Sequence, residues 1–485
     1  MDLAAFEHHL TSPQGRGHTP RDGYSVFADG GSCCDSIRFS IELRGALVAD
    51  AGFDAEGCGA ATAAGSAAVT LVRGAPLLDA ARIGSAQIAE ELGGLSPGKL
   101  HAAELAADAL HRALGAAARD RAALAPPDDG RTRTLIAMSG GVDSSVAALL
   151  ATREAEAVAV TLELWSDREN DAERSCCSST AVAQARALAH SIGLPHFTID
   201  LRDEFRAGVV EPFIAGYVGG ETPNPCVGCN GHVRLDAMLA LADRLGCATL
   251  ATGHYARVAE SDDEAGPLLR IAADRAKDQT YMLAALKPSS LRRLRFPLGD
   301  LTKPEVRALA AEAGLPVASK ADSQDLCFLA GTDRARFLER HGGIGDRPGD
   351  IVDREGRPLA RHRGQHRFTV GQRRGIGLAT QEPLYVLDKD AATNRVIVGP
   401  REQLRTSRVA VRAARLHRDG ARVDRVKLRY RSTPLAARVL GDPAAGRHQA
   451  LELELGRQVD GAAPGQLACL MDGELVVGWG TIARS

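Results

Sequence analysis

The chain has 485 residues, 45% of them hydrophobic, with 22 prolines and a formal net charge of -2. That apolar content excludes a disordered chain and predicts about three or four domains. The near-neutral total excludes neither nucleic acid nor protein partners, because the sum hides any basic face on one domain. Met1 to Leu10 carries Asp2 and Glu7 without a basic leader and apolar run, and no stretch is long and apolar enough to span a bilayer. The expectation is a cytoplasmic protein with no membrane partner, whose ten cysteines serve as thiols, persulfide carriers or metal ligands rather than as a disulfide framework.

From Ser25 to about Asp120 strands precede helices. Ile37 to Leu43 alternates as a strand, Ala46 to Phe53 is a second candidate, and Leu105 to Ala118 has helical apolar spacing. This is an α+β pattern. Arg119 to Arg133, which contains Pro126-Pro127-Asp128-Asp129-Gly130, mixes charge, proline and glycine as linkers do. Beyond it, strands at Thr134–Met138, Ala157–Leu164, His196–Leu201 and Thr249–Thr252 alternate with helices at Ser144–Arg153, Thr180–Ile192 and Leu235–Leu245. Such alternation predicts a parallel sheet covered on both faces, with ligands at the carboxyl ends of its strands. After about Gly331 come glycine- and arginine-rich loops with short strands. Six candidate strands follow, at Val409–Val411, Val426–Tyr430, Ala437–Leu440, Ala450–Leu455, Ala468–Met471 and Leu475–Trp479, and predict a small β-barrel.

The strongest motif is Met138-Ser139-Gly140-Gly141-Val142-Asp143-Ser144-Ser145, between a predicted strand and a predicted helix. Two glycines admit close backbone approach, hydroxyls and N–H groups donate, and a helix N-terminus favours an anion. Asp143 fits beside phosphate if it holds magnesium or orients the loop. The string lacks the lysine of a Walker-type loop and resembles the pyrophosphate loop (PP-loop) of the ATP-pyrophosphatase superfamily, which implies activation of an oxygen by adenylation.

Further strings resemble the tRNA-specific 2-thiouridylases between about Thr134 and Ile482. They are Thr222-Pro223-Asn224-Pro225-Cys226-Val227-Gly228-Cys229-Asn230, Ala251-Thr252-Gly253-His254-Tyr255-Ala256-Arg257, Lys277-Asp278-Gln279, Asp322-Ser323-Gln324-Asp325-Leu326-Cys327-Phe328, Gly371-Gln372-Arg373-Arg374-Gly375 and Pro464-Gly465-Gln466. The resemblance implies a sulfurtransferase that 2-thiolates the wobble uridine of tRNA, with Cys229 as nucleophile and Cys327 as persulfide carrier. It implies an ATP site at Ala137, Met138, Ser139, Gly140, Gly141, Val142, Asp143, Ser144, Leu162 and Gly253, where Leu162 replaces a frequent methionine. Asn224, Pro225 and Cys226 are implied contacts to the target base, and His254, Lys277, Asp278, Gln279, Arg429, Tyr430 and Gln466 implied contacts to tRNA. A cysteine desulfurase is the implied type of sulfur donor.

The chemistry asks for the same parts. Exchanging a carbonyl oxygen for sulfur needs the oxygen made a leaving group, and a soft nucleophile. Cys226 departs from a frequent family form, which has aspartate there. Cys226, Cys229 and Cys327 together make three thiolates able to hold a 4Fe-4S cluster with an open iron, so a cluster route rivals the persulfide route. A zinc site and a Cys-x-x-Cys redox pair are further readings. The arginines at 401, 405, 408, 412, 415, 418, 422, 425, 429 and 431, with Lys427, have few acidic residues between them and are expected to form a basic stripe for a tRNA stem.

At the N-terminus, Cys33-Cys34-Asp35, Gly57-Cys58-Gly59 and Lys99-Leu100-His101 resemble the ligand loops of IscU/NifU-type iron-sulfur scaffold proteins. The resemblance implies Cys33, Asp35, Cys58 and His101 as ligands, with Cys34 as an alternative to Cys33. Where that family has a cysteine after the histidine, this chain has Ala102. The expected division is a scaffold-like α+β domain at 1–125, a PP-loop α/β domain at 130–335, a central domain at 336–400 and a tRNA-binding β-barrel at 401–485. The competing classes are an iron-sulfur or sulfur carrier that binds RNA or nucleotide, and another PP-loop adenylating enzyme.

Overall fold

The computed structural model describes residues 3–30, 34–127, 130–167, 179–261, 265–321, 326–329, 331–378 and 380–484. Cys33, Cys176, Cys177 and Asp322 to Asp325 lie outside these ranges. The N-terminal unit is an antiparallel sheet of β1 (Tyr24–Gly30), β2 (Asp35–Arg44) and β3 (Leu47–Glu56) in that order. Ile37, Phe39 and Ile41 alternate into the core and are fully buried, so the period of two seen in the sequence is the buried face. Helices Gly59–Val72 and Leu100–Arg121 cover this face. The first is built largely of small residues, eight of its 14 being alanine or glycine, which lets it lie close to the sheet: a Cβ on Gly65 would fall 2.3 Å from the Phe53 ring. That same composition offers no apolar-polar contrast, so the sequence carries no helical period there. β1 and the helix Leu3–Thr11 also went beyond what the sequence pattern foretold.

The next strands are β4 (Arg133–Ala137), β5 (Glu156–Glu163), β6 (His196–Asp200) and β7 (Thr249–Thr252). They are followed by the hairpin β8 (Arg257–Ala259) and β9 (Leu268–Arg270), and by the short β10 (Leu294–Arg295). β10-β7-β4-β5-β6 form one parallel sheet, as the alternating pattern predicts. Ile136, Ala159 and Ala251 point into a core shared with helices Val142–Ala151, Ser179–Ser191 and Lys303–Glu312. Leu135, Val158 and Leu250 point the other way, into a core shared with helix Leu235–Arg244 and with the N-terminal unit.

The long helix Leu100–Arg121 does more than back its own sheet. Its residues 111, 115 and 119 run along the free edge of β6 and meet the outward carbonyls of residues 196, 198 and 200. His111 Nδ1 lies 2.8 Å from His196 O, and Arg119 donates to Asp200 O at 3.0 Å. Between them Gly115 touches the strand so closely that a Cβ would fall 1.8 Å from Thr198 O. Four helical residues advance about 6 Å and two strand residues about 6.6 Å, so the two periods stay in step over this length. An edge that would otherwise present unpaired carbonyls is thereby covered. Arg112 pairs with Asp108 and with Glu163 at the end of β5, and Arg186 pairs with Asp108, tying both units by charge as well.

The expected linker is shorter than the sequence pattern proposed, because residues 119–121 belong to this helix. It is also pinned: Leu124 N–H donates to Arg244 O, and Arg133 donates to Ala125 O and Leu245 O.

The central region is a four-stranded sheet of β11 (Gly349–Val352), β12 (Pro358–His362), β13 (Tyr385–Asp390) and β14 (Arg395–Gly399), ordered β12-β11-β14-β13. Last come β15 (Arg405–Leu416), β16 (Arg425–Lys427), β17 (Leu435–Val439), β18 (Gly446–Asp460), β19 (Leu467–Asp472) and β20 (Leu475–Ile482). They follow one another as β15-β18-β17-β16-β19-β20, and pairing of β15 with β20 closes the barrel. All six strands anticipated from the sequence are present. The hairpin β8-β9 pairs onto β20, so a segment between strands β7 and β10 of the parallel sheet is stitched to the barrel wall. No helix among the described residues is long and apolar enough to cross a membrane.

Candidate functional site

The phosphate loop lies where the sequence places it, between β4 and helix Val142–Ala151. Gly140 has φ +68°, a left-handed conformation that glycine adopts without strain. Gly141 O accepts from the hydroxyls of Ser144 (3.2 Å) and Ser145 (2.7 Å), and Ser139 N–H donates to Ser144 Oγ (3.1 Å). Gly253, just past β7, presses on the helix start: a Cβ there would sit 2.7 Å from Ser144 N. Leu162, near the end of the adjoining β5, is 8% exposed, and Met138 N–H bonds Val160 O across the two strands. Ala137 to Ser144, Leu162 and Gly253 therefore share one end of the parallel sheet.

Asp143 is the loop's carboxylate, with its side chain about one-third exposed. Its Oδ1 accepts from Tyr255 O–H (2.9 Å) and from Lys303 Nζ (2.7 Å). Tyr255 leads directly to the predicted RNA segment: its backbone N–H donates to Gln279 Oε1 and its carbonyl accepts from Gln279 N–H, both at 2.9 Å. Asp278 is buried, accepting from the Thr280 hydroxyl (2.8 Å) and from Lys427 of β16 (3.4 Å). Its carboxylate thus holds the loop to the barrel and is not a surface group.

The Cys226 segment closes the ring. Asn224 caps the turn Pro225–Gly228 by accepting from Cys226 N–H (3.2 Å), and its amide donates to Met282 Sδ (3.6 Å). Gln466, on the turn before β19, donates to Thr222 O (2.6 Å), and Thr222 N–H donates to Pro464 O. Tyr281 donates to Leu467 O (2.9 Å) and lies 6.3 Å from the Tyr430 ring. Burial raises the Tyr430 phenol's pKa, and the negative charge of Asp278 adds to it. His254, half-buried, bonds Thr252 Oγ1 at 2.8 Å. Burial first, then the charge of Arg234 on the Cys229 segment, pushes its pKa down to about 3, so it is neutral. Hydrogen bonds thus tie Asn224 to Met282, Gln279 to Tyr255 and Gln466 to Thr222, while Asp278, buried, holds its own loop to the barrel.

Cys229 starts a π-helical turn, Cys229–Arg234, and is 6% exposed, whereas Cys226 and Cys327 are half-buried. Cys327 opens a short 3-10 turn whose Phe328 packs edge-on against Phe205 and Phe213. Those rings stand on the helical stretch 202–218, which packs against the Cys229 turn, so the two cysteine segments share one layer. Cys247 and Cys469 are buried and burial drives both thiols up to about 12, which fits packing roles.

The N-terminal ligand set is also assembled. Asp35, Cys58 and His101 bring one ligand atom each within 4.8 Å of one another. Cys58 Sγ and backbone N–H donate to Asp35 (3.0 and 2.8 Å), and His101 Nε2 lies 3.3 Å from Asp35 Oδ2. Burial alone would raise Asp35, but these bonds outweigh it and hold the carboxyl low, while burial and the Asp35 bond raise the Cys58 thiol. Sulfur, nitrogen and oxygen donors in this arrangement suit a thiophilic or borderline metal. Ala102, fully buried, leaves no thiolate beyond His101; Cys34 is exposed with φ +53°, and Cys33 lies outside the described residues.

The basic stripe expected in the tail is corrected by the fold. Acidic partners distant in sequence meet it: Asp460 takes Arg401 and Arg405, Glu452 takes Arg408, Glu221 takes Arg412 and Asp472 takes Arg422. Arg418 is buried, donating to Gly266 O. Among the described residues, Arg373, Arg374 and Arg429 are exposed without a carboxylate partner, and the Arg429 guanidinium lies beside Gly371. Lys303 and Lys320, both at the phosphate loop, had no motif to announce them, and the resemblance gives Tyr255, though inside the string Ala251–Arg257, no role.

Residues 132–331 match the tRNA methyl transferase HUP domain family, 335–400 the tRNA methyl transferase PRC-barrel domain, 402–482 the aminomethyltransferase beta-barrel domain and 5–122 the NifU-like N terminal domain. The chain is 43% identical over 488 residues to a bifunctional protein NifU/MnmA of Rubrobacter xylanophilus, covering 98% of this chain and 97% of that one. It is 42% identical to a tRNA-specific 2-thiouridylase MnmA of Xanthobacter autotrophicus (74% of this chain, 94% of the relative). It is 44% identical to one of Methylorubrum extorquens (74% and 95%).

Proposed function

The chain belongs to the family of bifunctional NifU/MnmA proteins, and from that membership and the site geometry we propose that it is a cytoplasmic sulfurtransferase making 2-thiouridine at the wobble position of tRNA. The observation that supports this best is the hydrogen-bonded path from Asp143 through Tyr255 and Gln279 to Met282, whose sulfur accepts from Asn224 at the head of the Cys226–Cys229 segment.

In this reading the loop Ala137–Ser144, with Leu162 and Gly253, binds ATP, and Asp143, an oxygen donor of the kind magnesium prefers, holds the metal. Magnesium bound there would neutralise phosphate charge. Asn224 to Cys226 face the uridine, while His254, Lys277, Gln279, Arg429, Tyr430 and Gln466 hold the RNA around it. The uridine C2 oxygen attacks the α-phosphorus, pyrophosphate leaves, and the oxygen becomes part of an AMP leaving group. Cys327 carries sulfur as a persulfide; the Cys229 thiolate attacks its inner sulfur, forming a Cys229–Cys327 disulfide and releasing hydrosulfide to C2 as AMP departs. A dithiol reductant then restores both thiols.

A second reading is favoured by Cys226, whose thiol sits one helical turn before Cys229 on the same face, as cluster ligation needs. With Cys327 the donor set fits a 4Fe-4S cluster in type and number. The N-terminal unit we assign to sulfur or iron-sulfur handling, fed by a cysteine desulfurase. The four-part division at 1–125, 130–335, 336–400 and 401–485 is part of this proposal.

With purified protein, ATP, magnesium, a desulfurase with cysteine, and unmodified tRNA, 2-thiouridine measured by mass spectrometry should appear with one AMP per thiolated base. Thiolation without ATP, or ATP cleavage indifferent to tRNA, would refute the assignment.

A further inference from the structure

The phosphate loop has no ammonium of its own; where a Walker-type loop supplies a lysine, this one supplies Asp143. The fold brings two lysines to it from 160 and 180 residues downstream. Lys303 begins helix Lys303–Glu312. Its position is set by the capping box of Thr302 and Glu305, with Thr302 N–H donating to Glu305 Oε2 at 2.7 Å, and by its own N–H donating to Asp274 Oδ2 at 3.0 Å. From there its side chain, 9% exposed, reaches Asp143 Oδ1 at 2.7 Å. Lys320, exposed at the rim, donates to Gly140 O and Gln184 Oε1, both at 3.1 Å.

A nearly buried ammonium is costly to desolvate, and carboxylate pairing in general does not make such a lysine more stabilising than an apolar side chain. A site that must accept three or four phosphate charges, however, needs a cation waiting inside it. We propose that Lys303, assisted by Lys320 at the rim, is the phosphate-gripping cation of this enzyme. In the empty protein its ammonium neutralises Asp143; with ATP bound it passes to the β- and γ-phosphate oxygens, and the Asp143 carboxylate is released for the metal. The exchange keeps the buried charges balanced in both states. It rests on the reading of the loop as an ATP site.

Pyrophosphate carries both phosphates that Lys303 is to hold, and AMP carries neither, so binding of the three ligands to the full-length protein separates the roles. By calorimetry, Lys303→Met should weaken ATP and metal-free pyrophosphate by about 10- to 100-fold, the range for a lost charge-assisted hydrogen bond, and leave AMP within about twofold. Lys303→Arg should recover part of the loss, and Lys320→Met should give a smaller change in the same direction. Wild-type affinity for pyrophosphate in Lys303→Met would overturn the proposal, as would an equal loss for AMP, which marks a merely structural lysine. If adding Asp143→Asn to Lys303→Met restored metal-free pyrophosphate binding, Lys303 would only be screening the carboxylate, and the proposal would fail. Failure of the wild-type protein to bind ATP at all would instead sink the ATP reading itself.

Discussion

Cys229→Ser and Cys327→Ser should each lower 2-thiouridine formation by at least about 1000-fold, as loss of a covalent participant does, while ATP binds as in the wild type. Serine keeps the shape of cysteine but neither forms a persulfide nor ionises near neutral pH, so the exchange removes the chemistry and little else. Cys229 lies in the core at 6% exposure, beside a π-helical turn, and Cys327 stands against the Phe205–Phe213–Phe328 cluster. A purely structural role for either would appear as a lower unfolding midpoint with activity retained below it. Nucleoside mass spectrometry of tRNA from cells relying on each variant distinguishes the two. A normal 2-thiouridine content in either would remove that residue from the mechanism.

Gly115→Ala should destabilise the protein, reversing the usual sign of this exchange. In a helix interior alanine normally gains about 1 kcal/mol over glycine. Here the added methyl would fall 1.8 Å from Thr198 O, between the contacts of His111 to His196 O and Arg119 to Asp200 O. The helix can relieve that overlap only by leaving the β6 edge, so a net loss of about 3 kcal/mol or more is expected. The N-terminal unit should then unfold apart from the parallel sheet, with faster proteolysis in 122–132, where the wild type should show one transition. A variant as stable as the wild type would show that the edge contact is dispensable. For the same reason removal of residues 1–125 deprives β6 of its cover and helix Leu235–Arg244 of an apolar neighbour, so such a truncation tests folding as much as sulfur transfer.

Strongly patterned elements were legible from the residues alone. Four of the five parallel strands, three helices beside them and the six barrel strands showed as short apolar or amphipathic runs between turn residues, whereas the two-residue β10 and helix Lys303–Glu312 were not anticipated, and the loop at Gly140 was flanked as its motif requires. The candidate site was legible only as separate strings, because what joins them is tertiary: Tyr255 reaching Asp143, Gln466 holding Thr222, and Asn224 reaching Met282. Two kinds of feature escaped. Helix Gly59–Val72 has no polar face to generate a period, and its small residues reveal their purpose only against Phe53. Charge was misjudged because it was read along the chain: the arginines from 401 to 422 look unopposed in sequence, yet Glu221, Glu452, Asp460 and Asp472 arrive from other strands. Lys303 and Lys320 were hidden for the same reason in reverse, since a lone lysine at a helix start or in a loop carries no local sign of the phosphate loop it meets.

The measurement closest to the central claim is a single-turnover reaction of Cys327→Ser with tRNA and ATP labelled at the α-phosphate. With the base activated and no sulfur to receive, the label should appear on the tRNA as an adenylated uridine and be lost when wild-type enzyme carrying sulfur is added. Persistent absence of label from tRNA, alongside ATP turnover that proceeds unchanged, would show that nucleotide chemistry and sulfur delivery do not meet on the same base.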